Sequence, residues 1–230
     1  MTADSATPAA LGFYAQRAKD GYGLMYPDGH VIRFYEHVLR DWRGDRERPT
    51  MLDFGCWTGT HSVYFASKGF VPFGVDIVED AVRQARERLP EFAGQFHVID
   101  DATNLEDLFD IKFDLIFCNQ VLYFLRDPVF ERRLREFRNL LAPGGMLFAT
   151  MISRHCFYSR HTTGEVDQGL EIVKFDSPER LKGKVTAVRF TKDESELRER
   201  FKVFSCRQVG RYECDLDLSS STEHFIYVGK

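Results

Sequence analysis

The chain has 230 residues, 43% hydrophobic, 14% aromatic and 29% charged, which is the composition of one soluble folded domain with a sizeable core and excludes a disordered chain. A formal charge of -4 gives no general attraction to nucleic acid, and acidic residues interrupt the arginine clusters at Arg43, Arg46 and Arg48 and at Arg132, Arg133, Arg135 and Arg138. Five widely spaced cysteines with no C-x-x-C pair suggest neither zinc nor a redox dithiol. With no basic-then-apolar leader and no run near the roughly 18 apolar residues of a membrane span, a cytoplasmic location is expected, with no metal and no membrane partner.

In chain order, residues 1–49 read as an N-terminal helical cap of the same domain. It has a short helix near 8–19, a glycine and tyrosine loop at 21–29 and a helix near 30–42. From about residue 50, short apolar runs alternate with amphipathic segments, the pattern of a parallel sheet covered by helices on both faces. Strands are predicted at 51–55, 71–76, 96–100, 113–119 and 145–150. The helix after Asp76 carries Ala81, Val82, Ala85 and Leu89 on one side. The helix near 129–141 aligns Phe130, Leu134, Phe137 and Leu141 on one stripe, which assigns its arginines to the solvated face. The turn Ala142-Pro143-Gly144-Gly145 ends that helix and opens the next strand.

Residues 151–190 break the alternation, and an insertion of that length is expected to be a lid or substrate-binding element. A helix at 192–201 then leads into two strands, 202–212 and 223–228, joined through the turn-rich stretch 217–222.

Chemistry concentrates in MLDFGCWTGTHSVYFA, where a buried strand ends at Asp53, turns through Gly55 and Gly59 and enters a helix. Ligands of open parallel sheets lie beyond the carboxyl ends of strands, and glycines there let backbone approach them closely. The dinucleotide fingerprint G-x-G-x-x-G does not fit, which argues against a nicotinamide-dependent oxidoreductase. The segment instead resembles the first motif, D-x-G-x-G-x-G, of the class I, Rossmann-like, S-adenosylmethionine-dependent methyltransferases, with Trp57 where the middle glycine stands. GVDIVEDAV resembles the second motif, with Asp76 at a strand end. VIDDATNL resembles the third, FDLIFCNQVLYFL the fourth, and RNLLAPGGMLFAT the turn before the fifth strand.

The resemblance covers about residues 50–150. It implies one doubly wound α/β domain over 50–230 with a mostly parallel seven-stranded sheet of order 3-2-1-4-5-7-6, strand 7 antiparallel, an N-terminal cap, and 151–190 inserted after strand 5. It further implies S-adenosyl-L-methionine as cofactor, held by Asp53, Gly55, Cys56, Trp57 and Gly59, by Asp76 on the ribose hydroxyls, by Ile77 against adenine, by Asp101 and Ala102 beside adenine, by Asn119 near the sulfonium and by Tyr14 at the methionine end. The activity implied is in-line methyl transfer to an O or N nucleophile of a small-molecule acceptor. The other reading, prompted by Trp57, is a non-catalytic cofactor-binding or scaffolding member of the fold.

Segments expected to overhang the sheet supply the acceptor-side candidates Tyr22, Tyr26, His30, Tyr123, Phe124, His155, Tyr158 and His161. Of these, His30, Tyr123 and His155 are the candidates for acid or base work. Arg154, His155, Arg160 and His161 would suit an anionic acceptor, and solvated loop charges explain them equally well. His37, His61, His97 and His224 read as structural.

Overall fold

In the computed structural model the described residues are Gly12, 25–44, 46–179, 181–214 and 221–230. The first helical stretch is α1 (Gly29–Phe34), a π-helical turn (Tyr35–Leu39) and α2 (Arg40–Arg43), so the predicted helix is present with one over-wide turn inside it. There follow β1 (Thr50–Phe54), α3 (Thr60–Ser67), β2 (Val71–Asp76), α4 (Glu79–Arg88), a 3-10 turn (Pro90–Gln95), β3 (Phe96–Val98), α5 (Leu105–Leu108) and β4 (Phe113–Cys118). After a second 3-10 turn (Leu122–Phe124) come α6 (Asp127–Leu140) and β5 (Leu141–Ile152), then a third (Phe157–His161). The chain closes with β6 (Thr162–Asp167), β7 (Leu170–Lys174), β8 (Val185–Val188), α7 (Glu194–Arg200), β9 (Cys206–Cys214) and β10 (Thr222–Gly229).

Seven strands form one sheet in the order β3-β2-β1-β4-β5-β10-β9. β1 is parallel to β2 and β4, β2 is parallel to β3, and β10 is antiparallel to both β5 and β9. Counting within the sheet, this is the expected 3-2-1-4-5-7-6 order. Residues 162–188, read from sequence only as an irregular insertion, form a separate three-stranded antiparallel sheet, β6-β7-β8.

The described residues fall into two compact units, one running to Phe117 and including Leu140–Gly145, the other holding Cys118–Asn139 and Met146 to the end. In the first, α4 begins with Glu79 and Asp80 and ends with Arg86 and Arg88, charges that complement the helix dipole. Its apolar residues Ala81, Val82 and Ala85 are fully buried. Helix α6, in the second unit, departs from expectation. Arg135 and Arg138 are exposed, but Arg133 is only 1% exposed and donates to buried Glu136 Oε2 at 2.6 Å. The pair shares one face of the helix at i,i+3 spacing, so burial of one charge compels burial of the other.

Strand β5 starts at once after α6 rather than at Gly145. Gly144 nevertheless keeps the left-handed φ of +76°, and its carbonyl accepts from Trp42 Nε1 at 3.2 Å. Helix α7 is capped by Asp193, whose carboxylate accepts the Glu196 N–H, while Glu196 reaches back to the Lys192 N–H.

Candidate functional site

In the first unit the segment after β1 is a tight left-handed loop. Gly55 and Gly59 have φ of +78° and +77°, and the N–H groups of Gly55 and Cys56 both donate to the Val75 carbonyl of β2. A Cβ on Gly59 would lie 3.0 Å from Ala85 Cβ, so glycine there serves both the backbone angle and the approach of α4. Trp57, which stands where the resembled motif has its middle glycine, has a left-handed φ of +48°, a conformation glycine adopts without cost. Left-handed backbone costs a non-glycine residue about 1–2 kcal/mol. The Trp57 N–H, however, donates to Asp76 Oδ2 at 2.8 Å, and a hydrogen bond to a charged group contributes about 1.5–3 kcal/mol, which offsets the strain. The loop thus keeps its path without the glycine.

Two buried carboxylates bracket this loop. Asp53 is 1% exposed and accepts from Ser62 Oγ at 2.6 Å; burial raises its pKa, and His61 and Ser62 oppose the rise. Asp76 is held by the N–H groups of Trp57 and Val78, one on each oxygen. Burial pushes it up to about 6 against those hydrogen bonds. A carboxylate is acceptor-only, with room for further donors beside its backbone partners, so the group still suits ligand hydroxyls. Arg88 of α4 fixes the far side of the loop, donating to the Thr58 carbonyl at 3.0 Å and Thr60 Oγ1 at 2.9 Å.

Cys56 does not offer its side chain to a ligand. The thiol packs with Val82, Ala85, Leu89 and Phe96, and burial first, then the charges of Asp76 and Asp53, hold its pKa well above the usual thiol value. Its contribution is the backbone of the turn. Ile77 and Asp101 are half-buried and Ala102 is exposed. Asp100 is engaged with the N–H and hydroxyl of Thr103, and the cap of α5 is Asn104, so neither aspartate caps that helix. Tyr26 is 81% exposed and His30 partly buried. His61, read as structural, lies 3.4 Å from Asp28 and packs on Phe117. Tyr14 and Tyr22 lie outside the described residues.

The second unit carries the remaining candidates. Asn119 follows β4, and Gln120 after it has φ +54° and donates its N–H to Thr150 Oγ1 at 2.7 Å. Tyr123 and Phe124 lie in the 3-10 turn with ring centroids 4.5 Å apart. Tyr158 and His161 pack around Phe175, and His161 Nδ1 is 2.9 Å from the Asp176 carboxylate. His155 is exposed, and its N–H donates to Ser153 Oγ. Arg154 is already paired with Glu171, so Arg154 and His161, two of the groups suited to an anionic acceptor, have carboxylate partners within the chain.

Sequence reasoning did not single out Ser62, Arg88, Gln120, Thr150 or Tyr212, and it read His224 as structural. Gln120 was adjacent to a named motif residue. Tyr212 and His224 became visible only through the β9–β10 register, which sets them directly opposite each other.

Residues 52–147 match a family model described as a methyltransferase domain. The ubiquinone biosynthesis O-methyltransferase of Coxiella burnetii is 30% identical over 107 residues, covering 46% of this chain and 44% of that protein. Among solved structures, a SAM-dependent methyltransferase from Methanosarcina mazei aligns with a TM-score of 0.63 at 21% identity, covering 84% of this chain and 96% of that one. The magnesium protoporphyrin IX methyltransferase of Synechocystis PCC 6803, solved with bound S-adenosylhomocysteine, aligns with a TM-score of 0.63 at 18% identity, covering 97% and 95%. The chain spans about half the length of the curated relatives it matches. Among the described residues, no helix is long and apolar enough to cross a membrane. The matched segment contains the glycine loop and both buried carboxylates, so over residues 52–147 the chain is similar to a methyltransferase domain, and its sheet has the expected order of the class I S-adenosylmethionine-dependent methyltransferase fold.

Proposed function

We propose that the protein transfers a methyl group from S-adenosyl-L-methionine to an oxygen of a small-molecule acceptor. The observation that carries this reading is Asp76, a buried carboxylate fixed at the end of β2 by the N–H groups of Trp57 and Val78. The donor and acceptor set fits the cofactor. Asp76 accepts from the ribose hydroxyls, Ile77 supplies an apolar contact for adenine, and the left-handed loop 55–59 lets backbone close on the methionine portion. Trp57 is compatible with this arrangement because its backbone follows the glycine path, which favours a binding-competent member of the fold over a degenerate one.

The cofactor's sulfonium supplies an activated methyl group. What the chain must add is orientation of the nucleophile and exclusion of water. Orientation alone is worth about 7–11 kcal/mol in well-aligned model reactions. The naming of curated relatives as O-methyltransferases supports oxygen over nitrogen as the target. A net charge of -4 and free thiols at all five cysteines support a small acceptor, with no nucleic-acid partner, in a reducing compartment such as the cytoplasm.

Isothermal titration with S-adenosylhomocysteine tests the cofactor claim. Wild type binds one equivalent, and Asp76→Ala, which removes two hydrogen bonds to a charged group at about 1.5–3 kcal/mol each, weakens binding by about 100-fold or more. No binding at millimolar ligand by the folded wild-type protein refutes the reading.

A further inference from the structure

The seven-stranded sheet ends at β9, CRQVGRYEC, which has β10 on one side and, among the described residues, no strand on the other. An open edge presents a row of backbone N–H and C=O groups able to pair with another chain, and charged side chains ordinarily blunt it. Arg207, Arg211 and Glu213 are exposed along β9, so the edge carries such charges. Their pairing is incomplete within one chain. Arg211 lies 3.5 Å from Glu223 of β10, but among the described residues Arg207 and Glu213 form no ion pair. Glu213 accepts the Ser221 hydroxyl and stands directly opposite Glu223 in the β9–β10 register, a like-charged arrangement that costs stability.

We propose that β9 is a homodimer interface, in which the strand pairs antiparallel with β9 of a second copy about a two-fold axis at Gly210. This is independent of the methyl-transfer reading. A two-fold axis perpendicular to a sheet sets one residue opposite its own copy and makes the contact self-complementary. With Gly210 on the axis, Arg207 faces Glu213 of the second copy, twice in the interface, and Arg211 faces Val209. Gln208 faces Tyr212, and the two glycines let the backbones meet at the axis with no side chain between them. The two unpaired charges of one chain are therefore matched by those of the other.

Other registers fail on charge or length. Centred on Val209, the axis sets Arg207 against Arg211; centred on Arg211, arginine meets itself. Centred on Gln208 or Tyr212, the overlap shrinks to 206–210 or 210–214. Gly210 is the midpoint of the strand, and its register alone spans β9 from end to end. The ladder to β10 is regular from Cys214 to Gln208 and shifts at Arg207, a bulge that ends the pairing there and opposes slippage. The new ladder thus has its core at 208–212, with the long Arg207 and Glu213 side chains closing each end. A contact of this size belongs with the small, transient interfaces, and a Kd of about 1–100 μM is expected.

Sedimentation velocity of the full chain at low salt, from about 1 to 300 μM, reads the monomer–dimer equilibrium. Arg207→Glu and Glu213→Arg each set like charges opposite at two places and weaken the dimer by about 10-fold or more, while the two together restore it to within about 3-fold of wild type. A second readout is covalent. A Cβ at Gly210 meets nothing nearer than Ile226 Cβ at 3.8 Å, and its backbone is not left-handed, so Gly210→Cys fits the strand. In a Cys206→Ser, Cys214→Ser background, mild oxidation of Gly210→Cys gives a disulfide-linked dimer, because residues opposed in an antiparallel pair lie within disulfide reach. Gln208→Cys in that background does not cross-link, its two copies lying about 14 Å apart along the strands. A chain that stays monomeric throughout the range leaves the edge to a different partner and overturns the proposal. A dimer indifferent to both charge reversals lies on another surface and overturns it too. Should either reversal fail to fold, the cross-linking contrast between positions 210 and 208 decides alone.

Discussion

Gly59→Ala separates the two physical demands placed on the cofactor loop. Gly59 and Gly144 have nearly the same left-handed φ, +77° and +76°, so alanine meets the same backbone penalty at both, about 1–2 kcal/mol. Alanine also restricts the unfolded chain, returning about 0.4–1 kcal/mol at each site. Their surroundings differ. At Gly144 the nearest atom to an added Cβ is the tip of the Arg46 side chain at 3.4 Å, an ordinary contact, whereas at Gly59 it is Ala85 Cβ at 3.0 Å, with Ala85 Cα at 3.3 Å. Ala85 sits fully buried on α4 and has nowhere to withdraw, which adds an overpacking term of about 1–3 kcal/mol. Gly144→Ala is thus expected to destabilise by about 1 kcal/mol and Gly59→Ala by about 2–4 kcal/mol in urea unfolding at constant m. Because the crowding has one identified partner, adding Ala85→Gly to Gly59→Ala recovers most of the difference once the cost of Ala85→Gly alone, about 1 kcal/mol, is subtracted in a double-mutant cycle. Equal losses at the two glycines, or a cycle with no coupling, would show that crowding by α4 plays no part in selecting glycine at position 59.

Three further outcomes follow from the buried charges. Asp76 has a folded pKa of about 6, above its unfolded value, so its contribution to apo stability is greatest below pH about 4 and is lost as pH rises through 6; replacing it with Asn flattens the stability profile in that window, read by denaturant unfolding at pH 4, 6 and 8. Ligand hydroxyls that donate to Asp76 favour its ionised form, so S-adenosylhomocysteine affinity rises from pH 5 to about 7 and binding near pH 5.5 releases a fraction of a proton, measured by calorimetry in buffers of different ionisation enthalpy; a pH-independent affinity refutes the assignment. Arg133→Met leaves Glu136 buried beside only the more distant Arg132 and is expected to destabilise by about 3–5 kcal/mol, while Arg133→Met with Glu136→Leu falls within about 1–2 kcal/mol of wild type in thermal unfolding.

The geometry of the glycine loop was legible in sequence because its constraints act locally. Gly55, Gly59 and the carboxylate that follows the next strand are fixed by backbone angles and by strand ends, both of which leave marks at fixed spacing. Trp57 tests that logic from the other side. The spacing correctly identified position 57 as one where glycine is usual, since the residue there is indeed left-handed, but the compensation is a hydrogen bond to Asp76, nineteen residues away and on another strand. Side-chain pairing across elements leaves no such mark. Arg133 and Glu136 look like any solvated helix pair until α6 is packed, and Cys56 lies within the glycine loop while its thiol fills the core. His224 is the extreme case. Its partners Tyr123 and Tyr212 are set by a 3-10 turn a hundred residues away and by the register of β9 against β10, so a histidine in an apolar strand reads as structural from its own neighbourhood. Geometry fixed by the backbone is therefore recoverable from one sequence, whereas side-chain groupings assembled by strand register and helix packing require the fold.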